Sequence, residues 1–216
     1  TSQNNGDITL SRTDNAFTGT VALNTSGSGG DATVDNGTTA LNMAASTVGG
    51  DLTLTSGHAS GIIDSGTVTV GGNLVATTDD NNGVINLGDL AVDGTVALAT
   101  NSSGNATVVN DAGLNLAAST VGGALSATAT TGDIVDSGNL TITGTSTFIT
   151  GADGSDIILD ASGNAFSNAV TLQADAGNET FGNITFVDSG AVRLHSSAGT
   201  NGDLYINAST DAAVGG

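Results

Sequence analysis

A right-handed parallel β-helix, an all-β solenoid, is the fold class this sequence predicts, and three observations carry the prediction. First, the chain repeats itself: Gly19-Thr20-Val21-Ala22-Leu23-Asn24-Thr25 returns as Gly94-Thr95-Val96-Ala97-Leu98-Ala99-Thr100 and, more loosely, as Ala169-Val170-Thr171-Leu172. The repeat is degenerate, with a period of about 75 residues. Second, apolar and polar residues alternate in short runs, which is the period of a strand with one buried and one wet face. Third, these runs are set off by Gly, Asn, Asp and Ser, the residues that tolerate the backbone of a sharp corner. Like units at fixed register stack most simply as parallel coils, like residue above like at the ~4.8 Å strand spacing.

The strands follow in order from the alternation. Asp7-Ile8-Thr9-Leu10, Thr20-Val21-Ala22-Leu23, Asp51-Leu52-Thr53-Leu54 and Thr67-Val68-Thr69-Val70 open the series. It continues through Val84-Ile85-Asn86-Leu87, Thr95-Val96-Ala97-Leu98 and Gly113-Leu114-Asn115-Leu116. Asn139-Leu140-Thr141-Ile142, Ala169-Val170-Thr171-Leu172 and Asp203-Leu204-Tyr205-Ile206 close it. No stretch carries an apolar stripe of helical period, and the Gly and β-branched content disfavours helix throughout. The copies keep their internal order: Ala45-Ser46-Thr47-Val48-Gly49-Gly50 matches Ala118-Ser119-Thr120-Val121-Gly122-Gly123, and Ile63-Asp64-Ser65-Gly66 matches Val135-Asp136-Ser137-Gly138. A third copy aligns Asp188-Ser189-Gly190-Ala191-Val192-Arg193-Leu194 with Asp35 to Leu41, and Asn15-Ala16-Phe17 recurs as Asn164-Ala165-Phe166. If the coils stack in register, Leu41, Leu114 and Val192 are expected at equivalent inward positions, buried. The stretches from Gly27 to Asp31 and from Thr77 to Gly83 read as variable turns on one edge. At roughly 20 residues per coil, each repeat supplies three to four coils and the chain roughly ten, or about 50 Å of rod. Residues 1–216 read as one solenoid segment with no linker.

Composition fits a narrow core and excludes several function classes. With 33 Gly, no Trp and 3% aromatic residues there is little to fill a broad core, but a solenoid bore lined by Val, Leu, Ile and Ala needs few large side chains. Disorder fits poorly, because 38% hydrophobic residues in regular alternation can bury enough surface to offset chain entropy. Two Arg or Lys against 21 Asp or Glu give a formal charge of −19. No basic stripe is available for nucleic acid, and anionic membrane is excluded as a partner by the same sign. Such acidity suits a solvated extracellular surface, where repulsion discourages bundling until divalent cations or low pH neutralise it. Calcium is thus expected to change association between rods more than the fold.

The absence of Cys removes disulfides, thiolate catalysis and Cys-based zinc sites, leaving rigidity to packing and backbone pairing. No positively charged leader or long apolar run marks a signal peptide or membrane span, so the chain reads as an internal fragment of a longer repetitive protein. Ala213-Val214-Gly215-Gly216 resembles the Thr47-Val48-Gly49-Gly50 punctuation. Uncapped coils at both ends are expected to be covered by further coils or by another molecule, through self-association or stacking.

The run from Leu114 to Leu125, with Gly132-Asp133-Ile134-Val135-Asp136-Ser137-Gly138-Asn139-Leu140-Thr141-Ile142-Thr143-Gly144 after it, resembles the repeats of very large bacterial surface exoproteins. These are adhesins of the filamentous-haemagglutinin type and related β-strand-repeat proteins. Leu41 to Thr55 and Gly61 to Gly72 carry the resemblance in the first copy, so it covers nearly the whole chain. It implies a parallel β-helix at the cell surface or in the extracellular matrix, forming stalk or filament while binding activity resides elsewhere. Surface or matrix glycans are the partners it implies. The amino-terminal secretion domain of that family is not in this sequence.

Candidate chemistry is sparse. His58 and His195, the only imidazoles, fall at non-equivalent places in the repeat and read as solvated or turn residues rather than a metal pair. No Gly-x-Ser-x-Gly elbow sits in a strand-turn-helix setting. Asp79-Asp80, Asp153 with Asp156, and Asp133 with Asp136 are the carboxylate pairs that a polysaccharide-cleaving β-helix could use, though two Arg, one Tyr and no Trp offer little to hold a sugar. Asp79, Asp80, Asp153 and Asp156 are also candidates for weak calcium binding. Thr78-Asp79-Asp80-Asn81-Asn82-Gly83 lacks the first Asp and closing Glu of an EF-hand loop, and Asp in turns is favoured for its backbone geometry alone. Asn-x-Ser/Thr triplets at Asn24, Asn36, Asn101, Asn105, Asn139, Asn178, Asn183 and Asn207 are frequent by chance in such a composition. The pairs Thr53/Thr55, Thr67/Thr69 and Thr141/Thr143 would serve ice binding only if they lay on one flat face in every coil, and their spacing is irregular. The expected function is a non-catalytic stalk or filament segment without cofactor. A calcium-dependent adhesive or ice-binding solenoid and a carbohydrate-active β-helix are the alternatives.

Overall fold

The computed structural model describes residues 1–174, 182–198, 204–208 and 213–214. Asn178, Gly215 and Gly216, together with the side chains of His195 and Asn207, lie outside the described residues. The described chain is all β, without helix, and its strands stack in parallel as a β-solenoid. Two sheets face each other across one core. The first begins with Ile8–Leu10 and the second with Thr20–Val21, and the main path through each runs through ten strands. Coil length varies. Register partners are 24 positions apart at Ile8 and Ala32, 19 apart at Ala106 and Leu125, and 27 apart at Ile157 and Ile184.

Alternation puts every second residue inside, which explains why so few large side chains suffice. In Leu52–Ser56 and Leu125–Ala129 positions one, three and five are buried while the residues between them reach the surface. Leu, Val, Ile and Ala from both sheets form one continuous core. Phe148, Phe166 and Phe186 add ring contacts, with centroids 6.0 Å and 5.0 Å apart. Corners need close backbone approach. At Gly61, φ is +58° and a Cβ would stand 1.8 Å from the Val84 carbonyl oxygen, so no other residue fits there without moving the neighbouring coil.

Within each of the first two copies one sheet carries long strands and the other carries pairs of short strands split by a kink; between the copies Ile85–Val92 runs unbroken through the second sheet with a bulge at Leu87 to Leu90. In the first copy the long strands Ala32–Asp35, Leu52–Ser56 and Leu74–Thr78 lie in the first sheet, opposite the split pairs Leu41–Met43 with Ser46–Val48 and Ile62–Asp64 with Val68–Val70 in the second. In the second copy the roles exchange: Ala106–Asn110, Leu125–Ala129 and Ser146–Thr150 are long strands of the second sheet, opposite Leu114–Leu116 with Ser119–Val121 and Ile134–Asp136 with Leu140–Ile142 in the first. From Leu41 to Leu114 the chain crosses between sheets seven times, so one sequence repeat spans three and a half coils.

This corrects one expectation and confirms another. Leu41, Leu114 and Val192 are all buried, as expected. They do not stand above one another, because Leu41 pairs with Ile62 in the second sheet and Leu114 with Ile134 in the first. The half coil rotates each copy by half a turn relative to the last. The two irregular stretches likewise lie on opposite edges rather than one: Gly27 to Asp31 leads from the second sheet into Ala32, and Thr77 to Gly83 leads from the first sheet into Ile85.

Candidate functional site

Polar side chains carry the chemistry in this chain, and among the described residues a recurring set of them joins one coil to the next. Three positions do so in the same way in both copies, all buried except the half-buried Thr100. Thr25 and Thr100 each donate across a turn, to Gly30 O at 2.9 Å and Gly104 O at 2.7 Å, and accept from the next coil, Gly49 N at 2.9 Å and Gly122 N at 3.0 Å. Ser46 and Ser119 accept from Leu23 N and Leu98 N at 3.1 and 3.0 Å and donate to Ala44 O and Ala117 O, both at 2.8 Å. Asn36 and Asn110 follow the long strands into the core. Their amide oxygens accept from Phe17 N at 2.7 Å and Val92 N at 2.8 Å; their amide nitrogens donate to Phe17 O and Val92 O, both at 3.1 Å, and to Ala40 O at 2.9 Å and Gly113 O at 2.8 Å. Each asparagine thus pairs with the backbone one coil away as a strand residue would. Asn36, which begins one of the Asn-x-Ser/Thr triplets, is fully buried and closed to glycosylation, whereas Asn105 and Asn139 are exposed.

The third copy replaces this asparagine by Asp188, which takes the place of Asn36 and not, as the sequence alignment has it, of Asp35. Like Asn36 and Asn110 it sits at the fifth position of its segment, is buried, and accepts from the residue one coil below, Phe166 N, at 3.2 Å. Among the described residues its Oδ2 has no hydrogen-bond partner. That oxygen stands where the two asparagines carry a donating nitrogen. Asp188→Asn should therefore restore the missing donor and raise the unfolding free energy by about 1 kcal/mol. Equilibrium urea unfolding checks it, and an unchanged or lower midpoint would reject the equivalence.

Exposed carboxylates form columns along the edges. Asp7, Asp31 and Asp51 accept in turn from Asp31 N at 3.1 Å, Asp51 N at 2.8 Å and Asn73 N at 2.7 Å. Asn73 continues the column by accepting from Thr95 N at 2.9 Å. Charge-assisted bonds of this kind offset the repulsion of stacked like charges in water. One sequence-predicted pair, Asp133 with Asp156, behaves likewise. Asp133 accepts from Asp156 N at 2.7 Å, and Asp156 from Asn183 N at 2.6 Å, so this pair is a brace between coils. Asp153 lies in the same turn as Asp156, at an edge leading from the second sheet to the first. Asp79 and Asp80 lie in a turn leading the other way, beside a shallow cleft that Asp35 and Thr38 also line. The four calcium candidates are therefore divided between opposite edges. No three His, Asp or Glu side chains among the described residues are placed to hold a metal ion. His58 is exposed and its Nδ1 accepts from Ser60 N at 3.0 Å, closing its own turn.

Asp64 and Asp136 occupy the kink of the split face in successive copies. Asp64 accepts from Gly88 N and Asp89 N; Asp136 accepts from Asp160 N at 2.9 Å and from Asn164 Nδ2 at 2.6 Å. Asp136 is half-buried. Burial holds its carboxyl above the ordinary carboxylate value of 3.8; the bonds from Asn164, Asp160 N and Ala161 N work against that rise, and the Asp160 charge adds to it. A raised folded value means that the folded chain takes up this proton at a higher pH than the unfolded chain does. The contribution of this group to stability therefore grows as pH falls from above the folded value to the ordinary range, and is lost as pH rises. Urea midpoints should increase over that window on mild acidification, and Asp136→Asn should flatten this part of the profile.

The outward Thr residues do not form one face. Thr53/Thr55 and Thr141 lie in the first sheet, Thr69 in the second. Outward columns do run along the long strands: Thr33, Thr53, Val75 and Ala97 in the first sheet. In the second sheet Thr107, Ser126, Thr147 and Thr171 form one column, and Val109, Thr128, Ile149 and Gln173 the next. Residues 103–173, about a third of the chain and most of the second copy, match the model of a family described as repeats of unknown function (DUF5649). No curated protein and no solved structure matches the chain.

Proposed function

We propose that this solenoid is a non-catalytic structural segment, a stalk or filament, of an acidic adhesin-like protein at the bacterial cell surface or in the extracellular matrix. One observation carries the reading: polar side chains brace one coil to the next along the axis, as in the columns from Asp7 to Thr95 and from Asp133 to Asn183. A brace repeated along an axis gives length and stiffness, which is what a stalk supplies. The acidic surface keeps such a rod solvated and apart from like rods at low ionic strength. The test is location together with activity. Antibodies against the chain should label intact producing cells, and protease shaving should remove the label. A cytoplasmic location, or polysaccharide cleavage by the purified chain, would overturn the reading.

A further inference from the structure

The long-strand faces take no part in bracing the coils, and their chemistry differs from the rest of the surface. In a chain of formal charge −19 they present Thr, Ser, Val, Ile, Ala and Gln, with a single ionisable side chain, Asp35, at one corner of the first-sheet face. Val75 is 39% exposed in the first-sheet face, an unusual exposure for an apolar side chain of that size in this molecule. The acids lie elsewhere, at the kinks of the split faces, in the edge columns and in the turns. The half-coil repeat sets the two uncharged faces on opposite sides of the rod, three and a half coils apart.

We propose that these faces pair this chain with second copies of itself, the first-sheet face of one rod against the second-sheet face of the next. Rods of like charge repel wherever their edges meet. Face-to-face approach is the arrangement that does not set carboxylates directly against carboxylates. Both faces are built from parallel strands at the same ~4.8 Å spacing, so the ridges of one match the other along the axis. Because each rod carries the two faces on opposite sides, the contact is heterologous and does not close; it builds lateral sheets of rods rather than dimers. Four strands by about five residues give each face roughly 300 Å², well below the roughly 800 Å² per partner of a stable complex. A single pair is therefore weak, and the edge charges suppress it until salt screens them.

Sedimentation velocity of the 216-residue chain at high protein concentration, in dilute buffer and in about 1 M NaCl, tests the pairing. The wild-type chain should sediment as a monomer in the first and associate reversibly in the second. The double variant Thr128→Arg/Thr147→Arg should lose at least tenfold in association constant although it lowers the net negative charge, while Thr47→Arg/Thr141→Arg, the same change of charge at exposed positions of the split strands, should not. Circular dichroism confirms that each variant is folded. The chain has no Cys, so mixing Thr53→Cys with Ser126→Cys chains should yield the mixed disulfide pair in preference to either like pair. A wild-type monomer in high salt, arginine variants that associate as wild type does, or no preference for the mixed pair would each overturn the proposal. So would ice-crystal shaping by a chain that stays monomeric, which would assign the faces to a hydroxyl lattice. None of these outcomes depends on where the protein resides.

Discussion

Asn110→Leu is expected to destabilise the solenoid by about 3–5 kcal/mol although it swaps one buried side chain for an apolar one with the same branching. Leucine would fill the space and add apolar contact. It cannot, however, satisfy Val92 N, Val92 O and Gly113 O, three backbone groups that the Asn110 amide serves in a core closed to water. Buried groups left without partners cost about 1–3 kcal/mol each, which outweighs the hydrophobic gain. Asn36→Leu should behave alike, and because the two sites lie in different copies the double variant should show the sum of the two losses. Urea unfolding of the four chains checks both statements. A neutral Asn110→Leu would mean that the amide is not the brace described here.

Phe148→Ala should cost a similar amount, about 3–5 kcal/mol, through a cavity rather than through polar groups. Phe148 is fully buried on the long strand Ser146–Thr150 and meets Phe166 edge-on. Its register neighbours are Ala127 below and Leu172 above. The small residue beneath makes room for the ring, so truncation would stack two alanines and leave a void that parallel strands held at fixed spacing cannot close. A fall in midpoint without a change in denaturant slope is the expected signature. Loss of less than about 1 kcal/mol would show that the core collapses into the gap.

The alternation of apolar and polar residues made the strands legible, since Leu52-Thr53-Leu54 and Val68-Thr69-Val70 can bury one face only as strands. It also held the signal for the buried polar residues. Asn36 stands two after Val34, Asn110 two after Val108 and Ser46 two before Val48, so the period of two carries each of them inward. Grouping Asn36 with the other Asn-x-Ser/Thr triplets follows residue type and ignores that period. The half-coil phase was hidden for a different reason. With coils ranging from 19 to 27 residues, a spacing of 73 between Leu41 and Leu114 does not state how many times the chain crosses the bore. Crossing number depends on which turns are tight, and Gly-rich turns of different length look alike in sequence. For the same reason Asp79 and Asp153 could not be assigned to edges before the coils were counted.

A rod whose sequence unit ends half a turn out of phase has a property that one with whole-coil units lacks. Duplication or loss of a single unit lengthens or shortens it by about 17 Å and also swings everything beyond the change to the far side. Two units together restore the original facing, as they do here between Asn36 and Asp188, both at the end of a long first-sheet strand. Whether a distal element points toward or away from a given neighbour then depends on whether the number of units before it is odd or even. Changes in copy number made in pairs alter reach alone, whereas single changes alter reach and direction together.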